Sequence, residues 1–338
     1  MTRERSHVRA FPERLIARLL CCDVVPRHVA VIMDGNRRYA LRSGCNVEEG
    51  HGEGAKALDA VARATFDLGC EILSVYALST ENFKRSPGEL RALFDLVRQK
   101  LTTLASSEVV KKYDARVHVS GDVEALPSDV REAARDAMRA TWTGRGPMLN
   151  VCLAYTGRED IARALISVNE GVRSGEHLRA SDVDEGVVGR CLHGGERFAD
   201  GMPEVDLLVR TSGESRLSDY MLYNARFATI VFVDALWPDF TFMDMARAVW
   251  KYQRAAGRVK LAREAYARAR AMGVDEEHVL SNAVAEVSID GDDDDDDDAK
   301  SRRRDAAEEA LASSRRRAEA FESARIERIR REIFGKDD

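Results

Sequence analysis

No segment of the 338-residue sequence stays apolar for the roughly 20 residues that a membrane-spanning helix needs. The first ten residues, MTRERSHVRA, are polar and charged, and no apolar segment follows them directly. We therefore expect neither a spanning helix nor a cleaved signal peptide.

Paired cysteines are also missing. No two of the six cysteines have the C-x-x-C spacing that is typical of zinc and redox sites, and several lie in apolar runs. This distribution predicts reduced thiols in a cytosolic setting, without a zinc site or a disulfide framework. The cysteines are Cys21, Cys22, Cys45, Cys70, Cys152 and Cys191.

Two familiar phosphate-binding signatures are absent or incomplete. The P-loop pattern G-x-x-x-x-G-K-[ST] does not occur, which argues against a phosphate-transfer enzyme built on such a loop. Gly50-x-Gly52-x-x-Ala55 matches a loose dinucleotide-binding pattern. The residues Cys45–Glu49 before it are polar and do not form a strand, so we reject that interpretation.

The formal net charge of −6 comes from one acidic tract. Without Asp290 and Asp292–Asp298, the rest of the chain is slightly positive and close to neutral. Such a tract repels itself and cannot be buried, so it predicts a solvated linker. Because the remaining charge is nearly balanced, we expect no nucleic acid among the partners.

Short apolar runs alternate with longer helical patterns between residue 28 and about residue 272. The predicted strands are Val29–Met33, Ile72–Leu78, Ala115–Val119, Leu149–Tyr155, Val205–Arg210 and Thr229–Asp234. The predicted helices are Glu53–Asp67, Gly88–Lys112, Ser128–Trp142, Arg158–Val172, Ser181–Leu192 and Met243–Met272. This alternation predicts an α/β fold with a central six-stranded, mostly parallel sheet flanked by helices.

Two more helices are predicted outside this region. Apolar residues at helical spacing between Phe11 and Leu20 favour a helix packed on the core; a surface helix resting on a membrane or lining an apolar entrance is the alternative. Ala299–Phe334 is charged with a sparse apolar stripe and predicts a C-terminal helical extension. We divide the chain into an N-terminal helix (1–27), a main α/β domain (28–272), an acidic linker (273–298) and a charged C-terminal helix (299–338).

Dense polar clusters follow three of the predicted strands. Because ligands bind beyond the carboxyl ends of strands in an open parallel sheet, we expect these clusters to converge on one edge. That convergence predicts an active site. The clusters are Asp34–Arg38, Ser79–Arg85 and Arg210–Ser218.

The composition of the clusters indicates a magnesium-dependent diphosphate site. Asp34 is a hard oxygen ligand suited to Mg²⁺, which binds through few carboxylates plus substrate phosphates. Gly35 lets the backbone approach an anion. Five arginines offer bidentate contacts to phosphate, and a bound diphosphate would relieve their mutual repulsion. They are Arg37, Arg38, Arg85, Arg210 and Arg216.

Each feature also has a simpler interpretation. Asp34 alone could cap a helix, Arg37 and Arg38 could form a solvated helix face, and His51 could be a turn residue instead of a phosphate contact. These simpler interpretations become weaker because one loop contains Asp-Gly-Asn-Arg-Arg and two further basic clusters follow other strands. One apolar stripe at helical spacing supports a core role and a tunnel-lining role equally. It consists of Leu90, Leu93, Phe94, Val97 and Leu101.

The clusters resemble the signatures of the cis-prenyltransferases. His28–Ala40, HVAVIMDGNRRYA, is similar to the first signature, and Tyr76–Arg85, YALSTENFKR, to the second. Asp206–Tyr220, followed by Leu236–Pro238, resembles the last. Together with His51 between two glycines, the resemblance covers roughly residues 12–260 in order and with matching spacing.

The resemblance implies that the domain 28–272 is catalytic and that its residues have separate roles. Asp34 would hold Mg²⁺ on the allylic diphosphate, and Arg85 would support the site. The allylic diphosphate would be bound by Gly35, Asn36, Arg37, Arg38 and His51. Isopentenyl diphosphate would be bound by Arg210, Arg216 and Ser218. The residues near the reacting carbons would be Asn36, Ser79, Glu81 and Asn82. The catalytic residues would be Asp34, Asn36 and Asn82. Phe83 would be a further substrate contact.

The implied reaction is sequential addition of isopentenyl diphosphate to an allylic diphosphate such as farnesyl diphosphate. The product would be dehydrodolichyl diphosphate, used for dolichol synthesis and protein glycosylation. A non-catalytic accessory subunit of the same fold is the alternative. Such subunits have lost the Asp-Gly-Asn loop, which this chain keeps at Asp34–Asn36.

Some positions depart from the bacterial homodimeric members. Val47, Ser215 and Thr229 stand where those members have arginine, histidine and glutamate. The histidine and the glutamate help to hold magnesium in those members, so the resemblance assigns no second magnesium contact here. No Arg-x-Gly triplet occurs between Pro238 and Asp338, although homodimeric members end with one. The pattern RTSGExRLSD resembles the eukaryotic dehydrodolichyl diphosphate synthase branch. The missing triplet implies a heteromer with a Nogo-B-receptor-like accessory subunit. The resemblance implies a peripheral position on the cytosolic face of the endoplasmic reticulum membrane.

Overall fold

Short strands alternate with helices in the computed structural model, which describes residues 11–175, 177–198, 201–273 and 297–335. The strands are β1 (His28–Ile32), β2 (Ile72–Tyr76), β3 (Arg116–Ser120), β4 (Met148–Cys152), β5 (Leu207–Arg210) and β6 (Thr229–Phe232). The first five helices are α1 (Phe11–Leu20), α2 (Asn36–Ser43), α3 (Val47–Asp67), α4 (Pro87–Leu104) and α5 (Glu108–Tyr113). They are followed by α6 (Ser128–Ala140), α7 (Gly157–Ser174), α8 (Glu185–Cys191), α9 (Phe242–Gly273) and α10 (Asp297–Phe334).

The strands form one sheet in the order β3-β4-β2-β1-β5-β6, and every neighbouring pair is parallel. All residues of β1, β2 and β4 are buried, as expected for β-branched strands covered on both faces. The predicted α/β fold and its six strands are therefore confirmed. Four strands, β1, β2, β4 and β6, end one to three residues before their predicted ends.

The position of β1 decides where the functional loops meet. It pairs with β2 on one side and with β5 on the other, so that Ile32 lies level with both Tyr76 and Arg210. The loops that follow these three strands consequently leave the sheet side by side. This is the crevice in which ligands bind on open parallel sheets.

Three helical segments differ from their predictions. The helix predicted for Ser181–Leu192 is shorter, because Asp184 accepts a hydrogen bond from Val187 N at 2.7 Å and caps α8 at Glu185. Helix α3 begins at Val47 instead of Glu53, because the Asn46 side chain accepts a hydrogen bond from Glu49 N at 2.8 Å and caps the first turn. His51 therefore lies inside a helix and not in a turn. The single helix predicted for Gly88–Lys112 is two helices, α4 and α5, since the chain turns after Leu104 and Ser107 caps α5.

The chain divides into two compact units, the first formed by Met1–Glu159 with Pro203–Val259 and the second by Asp160–Met202 with Lys260–Asp338. The first unit contains the whole sheet. In its helix α1, Leu20 is buried, but Leu15 and Leu19 are 50% and 63% exposed, so packing on the core accounts for only one side of α1. In the described residues, no helix combines the length and the apolar character that crossing a membrane requires.

In the second unit, α10 packs against its neighbours through specific contacts. Arg317 donates to both carboxylate oxygens of the buried Asp182 at 2.6 and 2.7 Å. Phe321 lies so close to Gly171 that a Cβ there would be 2.3 Å from its ring. The C-terminal helix was predicted, but its packing partners were not. The predicted acidic linker lies outside the described residues over 274–296, and Asp297 already belongs to α10.

Candidate active site

Thr211 fixes the backbone of the loop that follows β1. Its hydroxyl oxygen accepts a hydrogen bond from Asp34 N at 2.9 Å and donates one to Asp34 O at 2.7 Å. Gly35 follows with φ 110°, and a Cβ there would lie 3.0 Å from Leu236 Cδ2. A left-handed backbone with no room for a side chain requires glycine. The loop is thereby held at the carboxyl edge of the sheet.

Asp34 forms an ion pair with Arg210, the last residue of β5. The distance between Arg210 Nη2 and Asp34 Oδ2 is 2.9 Å, and the two side chains are 4% and 33% exposed. Burial opposes ionisation of Asp34, but the hydrogen bond and charge of Arg210 outweigh it, so the pKa of Asp34 lies below its ordinary value. Asp34 is therefore an anion at neutral pH.

Arg210 also holds the loop that follows its own strand. Its Nη1 donates to Ser218 Oγ at 2.7 Å and to the carbonyl oxygen of Arg216. Its Nε is buried and has no hydrogen-bond partner in the part of the chain that the structure describes. Buried donors without partners are uncommon, and a bound anion is one kind of group that satisfies them.

Glu214 links two arginines at the mouth of the site. Arg38 Nη2 lies 3.5 Å from Glu214 Oε1 and 3.9 Å from Asp34 Oδ1, and Arg216 Nη1 pairs with the other Glu214 oxygen. Two carboxylates therefore alternate with three guanidinium groups. Because Arg38 and Arg216 are 49% and 62% exposed, the mouth presents net positive charge to solvent.

The second polar cluster is ordered by its own hydrogen bonds. Ser79 begins a short 3-10 turn, Thr80–Lys84, and its hydroxyl accepts from Glu81 N at 3.1 Å. Asn82 Oδ1 in turn accepts from Ser79 N at 2.9 Å. This reciprocal cap fixes Asn82 at the edge of the sheet.

Two other residues of this cluster point in different directions. Arg85 pairs with Glu89 at 2.7 Å on the cavity side. Phe83 packs edge-on against Phe94, with ring centroids 5.8 Å apart, and it does not line the cavity.

His51 projects from α3 toward the basic cluster. It is largely buried, and its Nε2 has no hydrogen-bond partner within the described residues. Burial has the largest effect on the pKa of His51, and the positive charge of Arg85 has the next largest. Both lower this pKa, which favours the neutral imidazole. A neutral His51 can still donate one hydrogen bond to an anion.

Gly54 and Trp237 belong to the site, although our sequence analysis gave neither a role. Trp237 Nε1 donates to Gly54 O at 2.7 Å, and Trp237 N donates to Asp34 O at 2.9 Å. A Cβ at Gly54 would lie 2.3 Å from Asn36 Oδ1. The spacing of Gly50 and Gly54, four apart in one helix, is the signal that could have predicted this close packing of α3 on α2.

These residues open into one cavity of about 740 Å³. All predicted site residues except Phe83 line it: Asp34, Gly35, Asn36, Arg37, Arg38, His51, Ser79, Glu81, Asn82, Arg85, Arg210, Arg216 and Ser218. Its apolar part is formed mainly by α3, α4 and β4, through Leu58, Leu93, Leu96, Val97, Leu101, Leu104, Val151 and Leu153. Leu93, Val97 and Leu101 of the predicted stripe therefore face the cavity, whereas Leu90 and Phe94 do not line it.

The carboxylates at the cavity do not form a preformed metal cage. Among the described residues there is no group of three or more His, Cys, Asp or Glu side chains placed to hold a metal ion. Thr229 begins β6, level with Leu207 at the start of β5, and so lies at the opposite end of the strands from Asp34. Four carboxylates line the cavity: Asp34, Asp59, Glu81 and Glu214.

Comparisons with known proteins agree on one family. Residues 32–260 match the family described as "Putative undecaprenyl diphosphate synthase". The chain is 40% identical over 259 residues to the dehydrodolichyl diphosphate synthase complex subunit of Mus musculus, covering 76% of each chain. It is 39% identical over 242 residues to the tritrans,polycis-undecaprenyl-diphosphate synthase (geranylgeranyl-diphosphate specific) of Pyrococcus abyssi, covering 72% of this chain and 89% of that one.

Solved structures show the same fold. Lavandulyl diphosphate synthase from Lavandula x intermedia, in complex with dimethylallyl diphosphate, superimposes with a TM-score of 0.62 at 32% identity. The alignment covers 68% of this chain and 95% of the lavender chain. The sheet with its flanking helices is therefore shared with proteins that act on prenyl diphosphates.

Proposed function

Because this chain belongs to the undecaprenyl diphosphate synthase family and is a prenyltransferase, we propose that it elongates an allylic diphosphate with isopentenyl diphosphate units to make dehydrodolichyl diphosphate. Farnesyl diphosphate is the primer that we propose. One observation carries this proposal: a mouth rich in arginine opens into an apolar cavity of about 740 Å³. Such a cavity suits a charged headgroup with a growing hydrocarbon tail, since each buried CH₂ contributes roughly 0.8 kcal/mol.

Two sets of residues would hold the two substrates. The allylic diphosphate lies at the start of α2 and against α3, where backbone N–H groups and guanidinium groups bind phosphate oxygens. This set consists of Gly35, Asn36, Arg37, Arg38 and His51. The isopentenyl diphosphate lies after β5, on Arg210, Arg216 and Ser218, with Arg85 supporting it. The ion pair between Asp34 and Arg210 places the two sets next to each other.

The reaction breaks the allylic C–O bond and forms one C–C bond. Negative charge builds on the departing diphosphate, which the arginines at the mouth stabilise. The alkene of the isopentenyl unit attacks the allylic carbon, and a proton is lost to leave a Z double bond. Asn36, Ser79, Glu81 and Asn82 line the cavity, and we propose that these polar groups orient the reacting carbons.

Magnesium is the cofactor that we propose. Mg²⁺ retains waters and uses one or two carboxylates together with substrate phosphates, so the ionised Asp34 carboxylate beside the arginines of the mouth fits it. Asp34 would hold the ion on the allylic diphosphate. When bound, Mg²⁺ supplies further stabilisation of charge on the leaving group. Because neither Ser215 nor Thr229 is a carboxylate, we propose no second protein carboxylate at the magnesium site.

A second subunit and a membrane surface complete the proposal. The mouse relative is named as a subunit of a complex, and no Arg-x-Gly triplet follows Pro238 in this sequence. Ile230 and Phe232 on β6, an edge strand of the sheet, are also exposed, which suits a protein contact. We propose a heteromer with a Nogo-B-receptor-like subunit, peripheral on the endoplasmic reticulum membrane, that serves dolichol synthesis and protein glycosylation.

The test is incubation of the full chain with farnesyl diphosphate, labelled isopentenyl diphosphate and Mg²⁺, with and without the accessory subunit. We expect long polyprenyl diphosphates, a large increase with the subunit, and loss of product with EDTA. No label in polyprenyl product even with the subunit present would contradict the proposed activity. Equal activity with and without the subunit would contradict the heteromer alone.

A further inference from the structure

Ser218 and Asp219 have an unusual backbone for residues other than glycine. Both lie in the left-handed region, with φ of 50° and 58°. Such a conformation is costly for each residue and persists only where the surroundings enforce it. Ser218 is also the residue whose hydroxyl oxygen accepts a hydrogen bond from Arg210. The contacts that enforce this turn therefore decide where the hydroxyl lies.

Tyr76, the last residue of β2, holds the turn from inside the cavity. Its hydroxyl lies 3.0 Å from the Tyr155 carbonyl oxygen and 3.3 Å from the Ser218 carbonyl oxygen, and it donates toward both. Its ring stacks on the fully buried Tyr220, with centroids 4.5 Å apart. Burial raises the pKa of Tyr76 to about 12, so the hydroxyl remains a donor at any physiological pH.

Asp219 anchors the same turn from the outer side. Its carboxylate accepts hydrogen bonds from Arg158 N at 3.1 Å and Arg158 Nε at 2.7 Å. Its carbonyl oxygen accepts one from Gly157 N at 2.6 Å. Gly157 and Arg158 form the first turn of α7, so the turn is tied to a helix start whose N–H groups favour a carboxylate.

We propose that Tyr76 and Asp219 are positioning residues that hold the Ser218 hydroxyl against Arg210, where both groups meet the isopentenyl diphosphate. The proposal rests on the proposed function, because it assigns a purpose to the turn only if Ser218 and Arg210 bind that substrate. Neither positioning residue needs to contact the substrate. Both act by keeping a left-handed turn that Ser218 would otherwise leave.

The test measures kcat and KM for each substrate in the heteromeric enzyme. Tyr76→Phe removes one hydroxyl and should raise KM for isopentenyl diphosphate roughly three- to tenfold, which corresponds to one lost hydrogen bond. KM for the allylic substrate should stay within about twofold. Asp219→Ala should have the same effect. Asp219→Asn, which keeps an acceptor for Arg158 N, should restore most of the loss.

Tyr220→Phe is the matched control. It removes another buried tyrosine hydroxyl, whose partner is Cys152 Sγ at 3.9 Å and not the Ser218 turn. We expect a normal KM for isopentenyl diphosphate in this variant, even if both tyrosine variants lose similar thermal stability. An equal rise in KM in Tyr220→Phe would attribute the effect to general loosening of the tyrosine cluster and overturn the proposal.

A double-mutant cycle separates positioning from independent binding. If Tyr76 acts through Ser218, then Tyr76→Phe should change KM by less than twofold when it is added to Ser218→Ala. Two results would overturn the positioning role: the same change in KM in both backgrounds, or an unchanged KM in Tyr76→Phe alone. In either case, turnover by the wild-type enzyme would still uphold the proposed function. Wild-type enzyme without turnover would instead overturn the proposed function.

Discussion

Arg210 Nη2 donates a hydrogen bond to Asp34 Oδ2 across 2.9 Å, which joins two residues 176 positions apart in the sequence. The contact follows from the sheet, since Ile32 and Arg210 are register partners on β1 and β5. Asp34 therefore has two tasks. It is the counter-ion of an almost fully buried guanidinium group, and it is the carboxylate that we propose as the magnesium ligand.

Asp34→Ala tests both tasks. We expect turnover to fall by about 100-fold or more, because stabilisation of the leaving diphosphate is lost. We also expect the free energy of unfolding to fall by about 1–2 kcal/mol, because Arg210 loses its partner while Asp34 is one-third exposed in the wild type. Steady-state kinetics and denaturant unfolding measure the two effects.

Asp239→Asn is the control for Asp34→Ala. It removes a carboxylate paired with Arg42 on the surface, and Asp239 does not line the cavity. We expect activity within about twofold of the wild type, since exposed pairs contribute little. Near-normal turnover in Asp34→Ala would refute the assigned role of Asp34.

The fold and most of the site could be predicted because local patterns agree with the final structure. Buried β-branched runs between helices indicate a parallel sheet, and the rule that ligands bind at carboxyl strand ends brought Asp34, Ser79 and Arg210 to one edge. The structure places them around one cavity. Their individual roles in binding and catalysis stay predictions.

What could not be predicted depends on contacts between distant residues. Nothing near Phe83 in the sequence indicates that it turns away to Phe94. The partners of α10 were likewise invisible, because the pairing of Arg317 with Asp182 joins segments 135 positions apart. The roles of Gly54 and Trp237 depend on how closely α3 approaches α2, which hydrophobic periodicity does not report.

Gly54→Ala tests this close approach. The new methyl group would lie 2.3 Å from Asn36 Oδ1 and 2.9 Å from Trp237 Cδ1, so α2 or Trp237 must shift. Overpacking of this kind costs about 1–3 kcal/mol of stability. Displacement of Asn36 should lower kcat roughly 10- to 100-fold, which steady-state kinetics would measure.

Gly52→Ala is the matched control, two residues earlier in the same helix. A Cβ at Gly52 would have no neighbour within 4 Å. We expect unchanged kinetics and up to about 1 kcal/mol of added stability, because alanine favours a helix more than glycine does. Equal kinetic loss in both variants would show that α3 is sensitive to any substitution and that the contact with Asn36 is not the cause.

His28 makes the stability of the sheet depend on pH. The imidazole is fully buried between the Pro203 carbonyl oxygen and Ser74 Oγ, each 2.8 Å from a ring nitrogen. The carbonyl oxygen can only accept, so Nδ1 carries the proton and Nε2 accepts from Ser74. Burial lowers the pKa of His28 to about 4.

The sign of the effect follows from this pKa. The unfolded chain takes up the proton near pH 6.5, whereas the folded chain does not until about pH 4, so the His28 contribution is complete above pH 6.5 and is lost as pH falls toward 4. The loss should amount to about 3 kcal/mol over the whole range, of which about 2 kcal/mol lies between pH 7 and pH 5. Denaturant unfolding at pH 7 and pH 5 measures that part. His28→Gln should flatten this part of the profile, whatever its effect at pH 7, and an unchanged slope in that variant would assign the effect to other groups.

Val97→Trp tests whether the apolar cavity receives the growing chain. Val97 lines the cavity from α4, so a tryptophan there would occupy part of its volume and stop elongation early. We expect products shorter by several isoprene units, determined by mass spectrometry, while the first condensation keeps nearly its normal rate. Gln99→Trp is the control, because Gln99 is exposed on the same helix and does not line the cavity. Because only a side chain inside the cavity can meet the tail, an unaltered product distribution in Val97→Trp would mean that the chain grows along another path.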